Sequence, residues 1–552
     1  TPQVDRKRPL GQPVPWKAHK QRFTAEKAVA AGYQLKRSAM PPLLPCELEP
    51  GQAVKAMLDL QHPFTIDPAL EPDLQEALSM AVHKPDQVLG HRQGALGFWG
   101  ARAEALLPAT DKILRSLRDP HLRMLLRGCS DDQPLTLGSC THIALWREML
   151  HAAKCVDQHL LSDLLQGFTI VGPIQRSARW GPMAPQDEVL AEDALRSRAW
   201  EFSDKVIKNI NRCEVTENTE KIWESTMEDV AEGTTVGPFF FKKDVDKFLH
   251  TEEWIPTQRF EVVQKNKVRG VDSATVNGIN QATVITEKID LPSTDVNVAA
   301  LRWLRSNVKE GLPIDGWVLD ERKAYRQIAV QPDQRRWSVI SLKEPASGRI
   351  AFFVMVGHSL GLVAAVYNYN RRSAAITDIL RRVFFVAAFN FYDDKYGFEP
   401  RNTCSSAFEV AQKVHWWLGA QFDPKKLQMC SDPTILGVTY DLKNMLLKIK
   451  LSRKTEILEE IDAILDSHLL PPGLAGKLRG KLMFGASQLW GKIGRAFLRA
   501  LSERQYTKFN QAVLNPAIVL ALQQWKWLIN EGPPRPILES KPKVADYVLF
   551  TD

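Results

Sequence analysis

Two adjacent aspartates, Asp393 and Asp394, stand in an otherwise apolar and aromatic stretch, FNFYDDKYGF at residues 389–398. Strand-forming residues run from Val383 to Tyr392 and return from Tyr396 to Phe398, a pattern that predicts a β-hairpin with the acids at its tip. Two carboxylates at such a tip repel each other and lose hydration, so a cation and a further acid are expected beside them. The hairpin therefore predicts a metal site that another aspartate completes.

Asp320 is the candidate for that third acid. Trp317, Val318 and Leu319 predict a buried strand that leads into it, and strand ends commonly present catalytic groups. Asp320 and Asp393 are expected to hold two Mg²⁺ ions about 3.5–4 Å apart, with Asp394 supporting them and Mn²⁺ as a substitute metal. Such a pair of ions activates a 3′-hydroxyl and clamps a leaving pyrophosphate, which is the chemistry of nucleotidyl transfer.

The elements that position these acids form an ordered set of short motifs. That set resembles the palm of retroelement reverse transcriptases, closest to the long-terminal-repeat and tyrosine-recombinase (DIRS-like) retrotransposons. The resemblance covers about residues 235–552. Its motifs are Asp320-x-x-x-Ala-Tyr325, Gly361-Leu-x-x-Ala365, Phe391-x-Asp-Asp and Leu436-Gly.

The chain departs from the family pattern at two positions of the second motif. Val366 stands where the family usually has a proline, and Leu360 stands where it has a phenylalanine or a glutamine. The match returns at Tyr369, Asn370 and Arg371, where the family commonly has Phe-Gln-Arg. The register of the motif is therefore kept.

The resemblance implies a role for several residues. Asp320 and Asp393 become the metal ligands, and Tyr325 becomes an aromatic gate that leaves no room for a 2′-hydroxyl. Lys426, preferred by register over Lys425, becomes the proton donor to pyrophosphate. The loop residues Leu360 and Gly361 become nucleotide-binding, because glycine allows close backbone approach to a base pair or a nucleotide.

Two basic stretches are candidates for contacts with phosphates. Lys265, Lys267 and Arg269 are expected on a turn between two predicted strands. There Lys267 and Arg269 could reach a triphosphate, or the turn could be part of an ordinary charged hairpin. A later helical stretch alternates basic and apolar residues, which suits either a thumb lying along a duplex or a pair of helices with solvated lysines. Its candidate nucleic-acid-binding residues are Lys477, Arg479, Lys481, Lys492 and Arg495.

The length of 552 residues and the hydrophobic content of 44% indicate several globular domains. The implied fold class is α+β, a right-hand polymerase with palm, fingers and thumb behind a mostly helical amino-terminal region. The last apolar strand resembles the start of a truncated ribonuclease H, for which no activity is expected. The predicted segments are a basic, proline-rich irregular arm at 1–50, helices of unknown role at 51–232, fingers and palm at 233–445, a helical thumb or connection at 446–535, and the ribonuclease H start at 536–552.

The amino-acid composition bears on the partners and the cellular location of the protein. The formal net charge is +8, so contacts with nucleic acid should come from local basic patches. Seven cysteines without a C-x-x-C pair suggest neither a zinc site nor a disulfide framework, which favours an intracellular protein, cytoplasmic or nuclear. No apolar run has the length of a membrane span, and the start at Thr1 suggests a piece of a longer polyprotein.

The predicted function is RNA-directed DNA polymerisation, with an RNA template, a DNA primer, their RNA/DNA hybrid and deoxynucleoside triphosphates as partners. Two alternatives stay open. An RNA-dependent RNA polymerase shares the aspartates but would be expected to carry a polar residue in place of Tyr325. A domesticated or fossil copy of the fold would bind nucleic acid as a scaffold without catalysis.

Overall fold

The structure is a computed structural model that describes residues 34–35, 68–184, 188–264, 267–507, 512–537 and 544–545. It is a mixed arrangement of helices and sheets. Most of the predicted irregular arm at 1–50 and of the predicted ribonuclease H strand lies outside the described residues. From these two segments, Gln34–Leu35 pairs in parallel with Val544–Ala545.

The elements are numbered here in chain order. The strands are β1 (Gln34–Leu35), β2 (Gly172–Pro173), β3 (Thr235–Phe239), β4 (Pro256–Gln264), β5 (Lys267–Asp272), β6 (Thr283–Val284), β7 (Ile314–Asp320), β8 (Val339–Lys343), β9 (Ile350–Met355), β10 (Ala388–Phe391), β11 (Asp394–Pro400), β12 (Gln428–Cys430), β13 (Thr434–Ile435), β14 (Val438–Asp441), β15 (Leu446–Ile449), β16 (Arg535–Pro536) and β17 (Val544–Ala545). The helices are α1 (Pro72–His83), α2 (Pro85–Arg115), α3 (Pro120–Arg127), α4 (Ile143–Ala152), α5 (Leu160–Gln166), α6 (Glu192–Ser197), α7 (Ala199–Arg212), α8 (Glu217–Ala231), α9 (Lys242–Leu249), α10 (Thr294–Asn307), α11 (Val363–Phe384), α12 (Arg401–Leu418), α13 (Leu451–Ser467), α14 (Pro472–Gly485), α15 (Gly491–Ala496), α16 (Arg499–Gln505) and α17 (Pro516–Glu531).

The central sheet has the strand order β10-β11-β7-β12, and β7 pairs antiparallel with both of its neighbours. This sheet confirms the predicted hairpin and the predicted strand that ends at Asp320. One boundary was wrong: Val383 is helical, because α11 continues to Phe384 and ends with Phe385 in the left-handed conformation. The first hairpin strand therefore begins only at Ala388.

Both faces of this sheet are buried. Trp317 and Leu319 point into one core and Val318 into another, as alternation along a strand requires. Gly397 has no room for a side chain, since a Cβ there would lie 2.5 Å from the Ala387 carbonyl oxygen and 2.7 Å from the Trp317 ring. A sheet covered on both sides is a rigid support for the residues at the ends of its strands.

A second sheet has the order β3-β9-β8-β4-β5, and its β4-β5 pair confirms the two predicted strands. The predicted place of Lys267 and Arg269 on the turn was wrong, because both belong to β5, where their backbone pairs with β4. Helices α7 and α8 pack on this sheet. A small sheet of β13 to β16 and the helices α13 to α17 follow the central sheet. No described helix is long and apolar enough to cross a lipid bilayer.

The amino-terminal helices share a core with the central sheet. Trp99 of α2 and Trp146 of α4 belong to the same cluster of buried side chains as Trp317. Arg92 of α2 is fully buried and donates to both carboxylate oxygens of Glu399 in β11, at 3.0 and 2.7 Å. The sequence division at residue 232 is therefore no boundary in the packing of the described residues.

The buried ion pair of Arg92 and Glu399 should contribute to the stability of the fold. Replacing Arg92 with methionine should lower the free energy of unfolding by about 3–5 kcal/mol, because Glu399 is left as an unpaired buried charge. Arg102→Met on the same helix is the matched control. Arg102 is exposed and its partner Glu148 is partly exposed, so a loss of at most about 1 kcal/mol is expected. Chemical denaturation of both variants measures the difference, and equal losses would contradict the assigned role of Arg92.

Candidate active site

The turn at the tip of the β10-β11 hairpin consists of Tyr392 and Asp393 alone, because Phe391 pairs directly with Asp394. Two-residue hairpin turns require positive φ at a central position, and here Tyr392 adopts a φ of +51°. A tyrosine in that conformation is strained, so the surrounding structure must hold it. The turn leaves Asp393 at the tip and makes Asp394 the first residue of the returning strand.

The sheet register brings the three predicted acids together. Asp394 is the direct cross-strand partner of Asp320. The backbone of Asp393 is attached to the same strand end, since its carbonyl oxygen accepts a hydrogen bond of 3.1 Å from the Glu321 N–H. Directly opposed residues of neighbouring strands have their side chains on one face, about 4.5–5.5 Å apart at Cβ. Three carboxylates therefore stand at one edge of the buried sheet.

This crowding changes the proton affinity of the acids. Burial, followed by the charges of Asp393 and Asp320, raises the pKa of Asp394 to about 7. The pKa of Asp393 is also raised, by loss of hydration and by Asp320. Repulsion between carboxylates is the situation that a bound cation relieves.

Lys426 supplies a cation to Asp320. Its Nζ lies 2.8 and 2.9 Å from the two carboxylate oxygens of Asp320. The neighbouring Lys425 differs from Lys426, because its backbone N–H donates to the side chain of Asp423. Lys426 is thus the lysine that reaches the acids.

The donor set has the right chemistry for Mg²⁺, since its members are hard carboxylate oxygens at one edge. Within the described part of the chain, however, no three Asp, Glu, His or Cys side chains already converge as ligands for a metal ion. Both oxygens of Asp320 accept instead from the ammonium group of Lys426.

Tyr325 lies beside the acids in the short 3₁₀ helix Ala324–Gln327. Its ring packs edge-on against Tyr369, with the ring centroids 5.4 Å apart. Burial, followed by the charge of Asp393, raises the pKa of Tyr325 to about 12, so the phenol stays neutral. A neutral aromatic ring therefore lies next to the acid cluster.

Gly361 has a structural reason that the sequence did not reveal. It adopts a φ of +98°, and a Cβ there would lie 2.0 Å from the backbone oxygen of Asp272 in β5. The close approach in this structure is therefore to the neighbouring sheet, and the contact of Gly361 with a base pair or nucleotide stays a prediction. Asn280 holds the same loop, donating to the Gly361 carbonyl at 2.8 Å and accepting from the Val363 N–H at 3.0 Å. Leu360 beside it is exposed.

The basic residues that were predicted to contact phosphates differ in exposure and in their contacts. Arg269 is exposed on β5 opposite Val262, and the side chain of Lys267 lies outside the described part of the chain. In α14, Lys477 is exposed, whereas Arg479 donates to Gln505 at 3.4 Å.

Lys481 forms ion pairs within the protein, and its contact with nucleic acid stays a prediction. Its ammonium is already bound by Glu456 at 3.0 Å and Glu460 at 2.6 Å, because α14 packs beside α13. Arg495 is exposed, and the side chain of Lys492 lies outside the described residues. Lys477 and Arg495 are thus the exposed members of the predicted set.

Two buried charges behind the acids were missed by sequence reasoning. Glu321 forms an ion pair of 2.8 Å with Arg372 of α11. Lys395 is buried on the other face from Asp394 and donates from Nζ to the Ser373 carbonyl and the Thr377 hydroxyl, both at 2.7 Å. Both residues attach the acid-bearing strands to α11. Their types gave no signal, because a charged residue next to an acid is usually a solvated one.

No family model and no curated protein matches the sequence. Among solved structures, the chain is similar to a foamy viral protease-reverse transcriptase, the dRH form, in complex with double-stranded DNA: the identity is 10%, the TM-score 0.43, and the match covers 70% of this chain and 59% of that one. A complex of the foamy viral protease-reverse transcriptase with an RNA/DNA hybrid matches at 10% identity and a TM-score of 0.38 over 63% and 47% of the two chains. A complex with double-stranded DNA matches at 12% identity and a TM-score of 0.40 over 72% of each. The chain thus spans 59% and 47% of the length of the first two.

The buried His358, whose loop contacts Tyr325, should make the stability of the fold depend on pH. It is fully buried, its Nδ1 lies 3.0 Å from the Ile328 carbonyl, and its Nε2 accepts from Asn368 at 3.1 Å. Burial lowers the pKa of His358 from 6.5 to about 4. Between these values the folded chain binds fewer protons than the unfolded chain, so stability present above pH 6.5 is lost as the pH falls toward 4.

His358→Gln removes this titration. The stability advantage of the parent chain over this variant should therefore shrink as the pH falls through that window. Melting temperatures of both proteins at several pH values measure it. An advantage that stays constant, or that grows in acid, would contradict the neutral buried state of His358.

Proposed function

We propose that this chain is an RNA-directed DNA polymerase of a retroelement, which adds deoxynucleotides to a primer 3′-end on an RNA template. The observation that carries the proposal is the direct cross-strand pairing of Asp320 with Asp394, with Asp393 in the adjoining turn. The order of the motifs along the chain supports the retroelement assignment.

Asp320, Asp393 and Asp394 would hold Mg²⁺, expected as two ions and replaceable by Mn²⁺. When bound, the metal would activate the 3′-hydroxyl and stabilise the charge that develops on the transferred phosphate. The chain fixes the backbone of its acids by sheet pairing on a strand buried on both faces. Lys426, once it leaves Asp320, is a positively charged donor that could protonate the departing pyrophosphate.

The other roles follow from what surrounds the acids. Tyr325 would pack under the sugar and exclude a 2′-hydroxyl. Arg269 and Lys267 would bind the triphosphate from the β4-β5 hairpin, where a guanidinium can make paired hydrogen bonds to phosphate oxygens. The exposed Lys477 and Arg495 would contact the backbone of the template–primer hybrid.

A second candidate is a scaffold that binds nucleic acid without catalysis. The contact of Lys426 with both oxygens of Asp320 favours it, since an acid occupied by a lysine is not a free metal ligand. The two functions differ in their response to Mg²⁺. A polymerase requires the metal for extension, whereas a scaffold binds the hybrid equally well without it.

Asp393→Asn should reduce Mg²⁺-dependent extension of a DNA primer on an RNA template by roughly 10³-fold, because an amide neither neutralises nor holds a divalent cation as a carboxylate does. Rates of single-nucleotide incorporation measure the effect. Asp462→Asn is the matched control, since Asp462 lies on α13 in an exposed ion pair with Lys526. Equal activity of Asp393→Asn and the parent would refute the acid assignment, and an inactive parent that still binds the hybrid would favour the scaffold.

Tyr325→Ala should raise the incorporation of ribonucleotides relative to deoxynucleotides by roughly 10- to 100-fold, because removal of the ring opens space for the 2′-hydroxyl. The measurement compares kcat/KM for a deoxynucleoside triphosphate and its ribonucleoside counterpart on the same primer. Tyr392→Ala, which removes an exposed ring at the hairpin tip, is a comparison variant. A parent chain that prefers ribonucleotides would instead identify an RNA-dependent RNA polymerase.

A further inference from the structure

Asp229 of α8 joins three parts of the molecule. This carboxylate is 4% exposed and belongs to the helical amino-terminal region. One of its oxygens accepts from Lys323 Nζ at 3.0 Å, and the other accepts from Arg326 Nε at 3.1 Å. The guanidinium of Arg259 in β4 lies 3.9 Å from the same carboxylate. A single buried acid thus connects the amino-terminal region, the second sheet and the segment that follows Asp320.

The two closer cations flank the candidate gate, since Lys323 precedes Tyr325 by two residues and Arg326 follows it directly. Lys323 adopts the left-handed conformation, with a φ of +47°, so the turn needs an external hold. Glu232, just after α8, adds to that hold by accepting from Lys323 at 2.9 Å. The end of α8 therefore binds the chain on both sides of the tyrosine.

The opposite side of the tyrosine is held by the His358 loop. The N–H of His358 donates to the Tyr325 carbonyl at 3.1 Å. Arg326 links the two supports, because its Nη1 donates to the His358 carbonyl while its Nε donates to Asp229. The main chain of Tyr325 thus lies between Asp229 and His358, and its ring rests on Tyr369.

We propose that Asp229 is a positioning residue that sets the Tyr325 ring against the sugar of the incoming nucleotide, so that the helical amino-terminal region takes part in sugar selection. This inference rests on the proposed polymerase function and extends it. Asp229 acts through Lys323 and Arg326 and does not touch the nucleotide. Its loss should let the 3₁₀ helix shift, and a shift of the ring admits the 2′-hydroxyl.

A purely structural role is the alternative, and the chain offers a matched control for it. Glu399 is likewise a buried carboxylate, and its partner Arg92 also comes from the amino-terminal region. It lies five residues along β11 from Asp394, which corresponds to roughly 16 Å of strand. Glu399→Gln therefore disturbs the same two regions far from the acids.

The experiment measures kcat and KM for one deoxynucleoside triphosphate and its ribonucleoside counterpart, in single-nucleotide extension on an RNA template. Asp229→Asn should lower the preference for the deoxynucleotide by roughly tenfold, as expected for a small misplacement of a substrate-positioning group. Glu399→Gln should leave that preference unchanged, whatever it does to the melting temperature. An Asp229→Asn enzyme with the preference of the parent would overturn the inference.

Two further variants keep the test decisive. Glu232→Gln removes part of the same hold at a partly exposed residue, so it serves if Asp229→Asn does not fold, and it should lower the preference in the same direction. In the double variant with Tyr325→Ala, Asp229→Asn should have no further effect on the preference, because its action passes through the missing ring. Additive effects would refute that route. A parent chain that extends no primer refutes the proposed function and this inference together, whereas normal extension with an unchanged preference in the variants refutes the inference alone.

Discussion

The cross-strand pairing of Asp320 with Asp394 is the constraint that the surrounding packing has to satisfy. Like charges directly opposed on neighbouring strands destabilise a sheet, and here Asp393 adds a third carboxylate at the same edge. Burial and this repulsion raise the pKa of Asp394 to about 7. Such an arrangement persists only if the surrounding packing is strong and a cation is at hand. In this structure Lys426 is that cation.

The packing that tolerates the acids lies behind them. Central strand β7 is buried on both faces, and the returning strand β11 is attached to α11 through Lys395 and to α2 through Glu399 and Arg92. Each of these charges costs desolvation energy, which its hydrogen bonds offset. Their effect is to leave the hairpin little freedom to slide or tilt. The acids are held near one another by parts of the chain that carry no chemistry themselves.

Sequence reasoning succeeded where the signal is local. Alternating strand formers around the acid pair predicted the hairpin, and the apolar run before Asp320 predicted the strand end. It could not foresee contacts with partners that are distant in the sequence. The sequence does not show that α13 brings Glu456 and Glu460 next to Lys481. It also does not show that the backbone of Asp272, almost ninety positions earlier, leaves room only for a glycine at position 361. The start of the strand was misplaced because a valine at position 383 is compatible with the last turn of α11 as well as with a strand.

The amino-terminal region also contains charged residues whose roles depend on partners distant in the sequence. Its helices carry ordinary amphipathic patterns, in which charged residues are usually solvated, and nothing local distinguishes Arg92 or Asp229 from its neighbours. Their partners lie 307 and 94 positions away along the chain, in β11 and in the turn after Asp320. Burying an isolated charge is costly, so loss of either residue would leave its buried partner without its counter-charge. The region and the acid-bearing sheet are therefore better understood as one structural unit, in which the helices supply charges that the sheet cannot provide for itself.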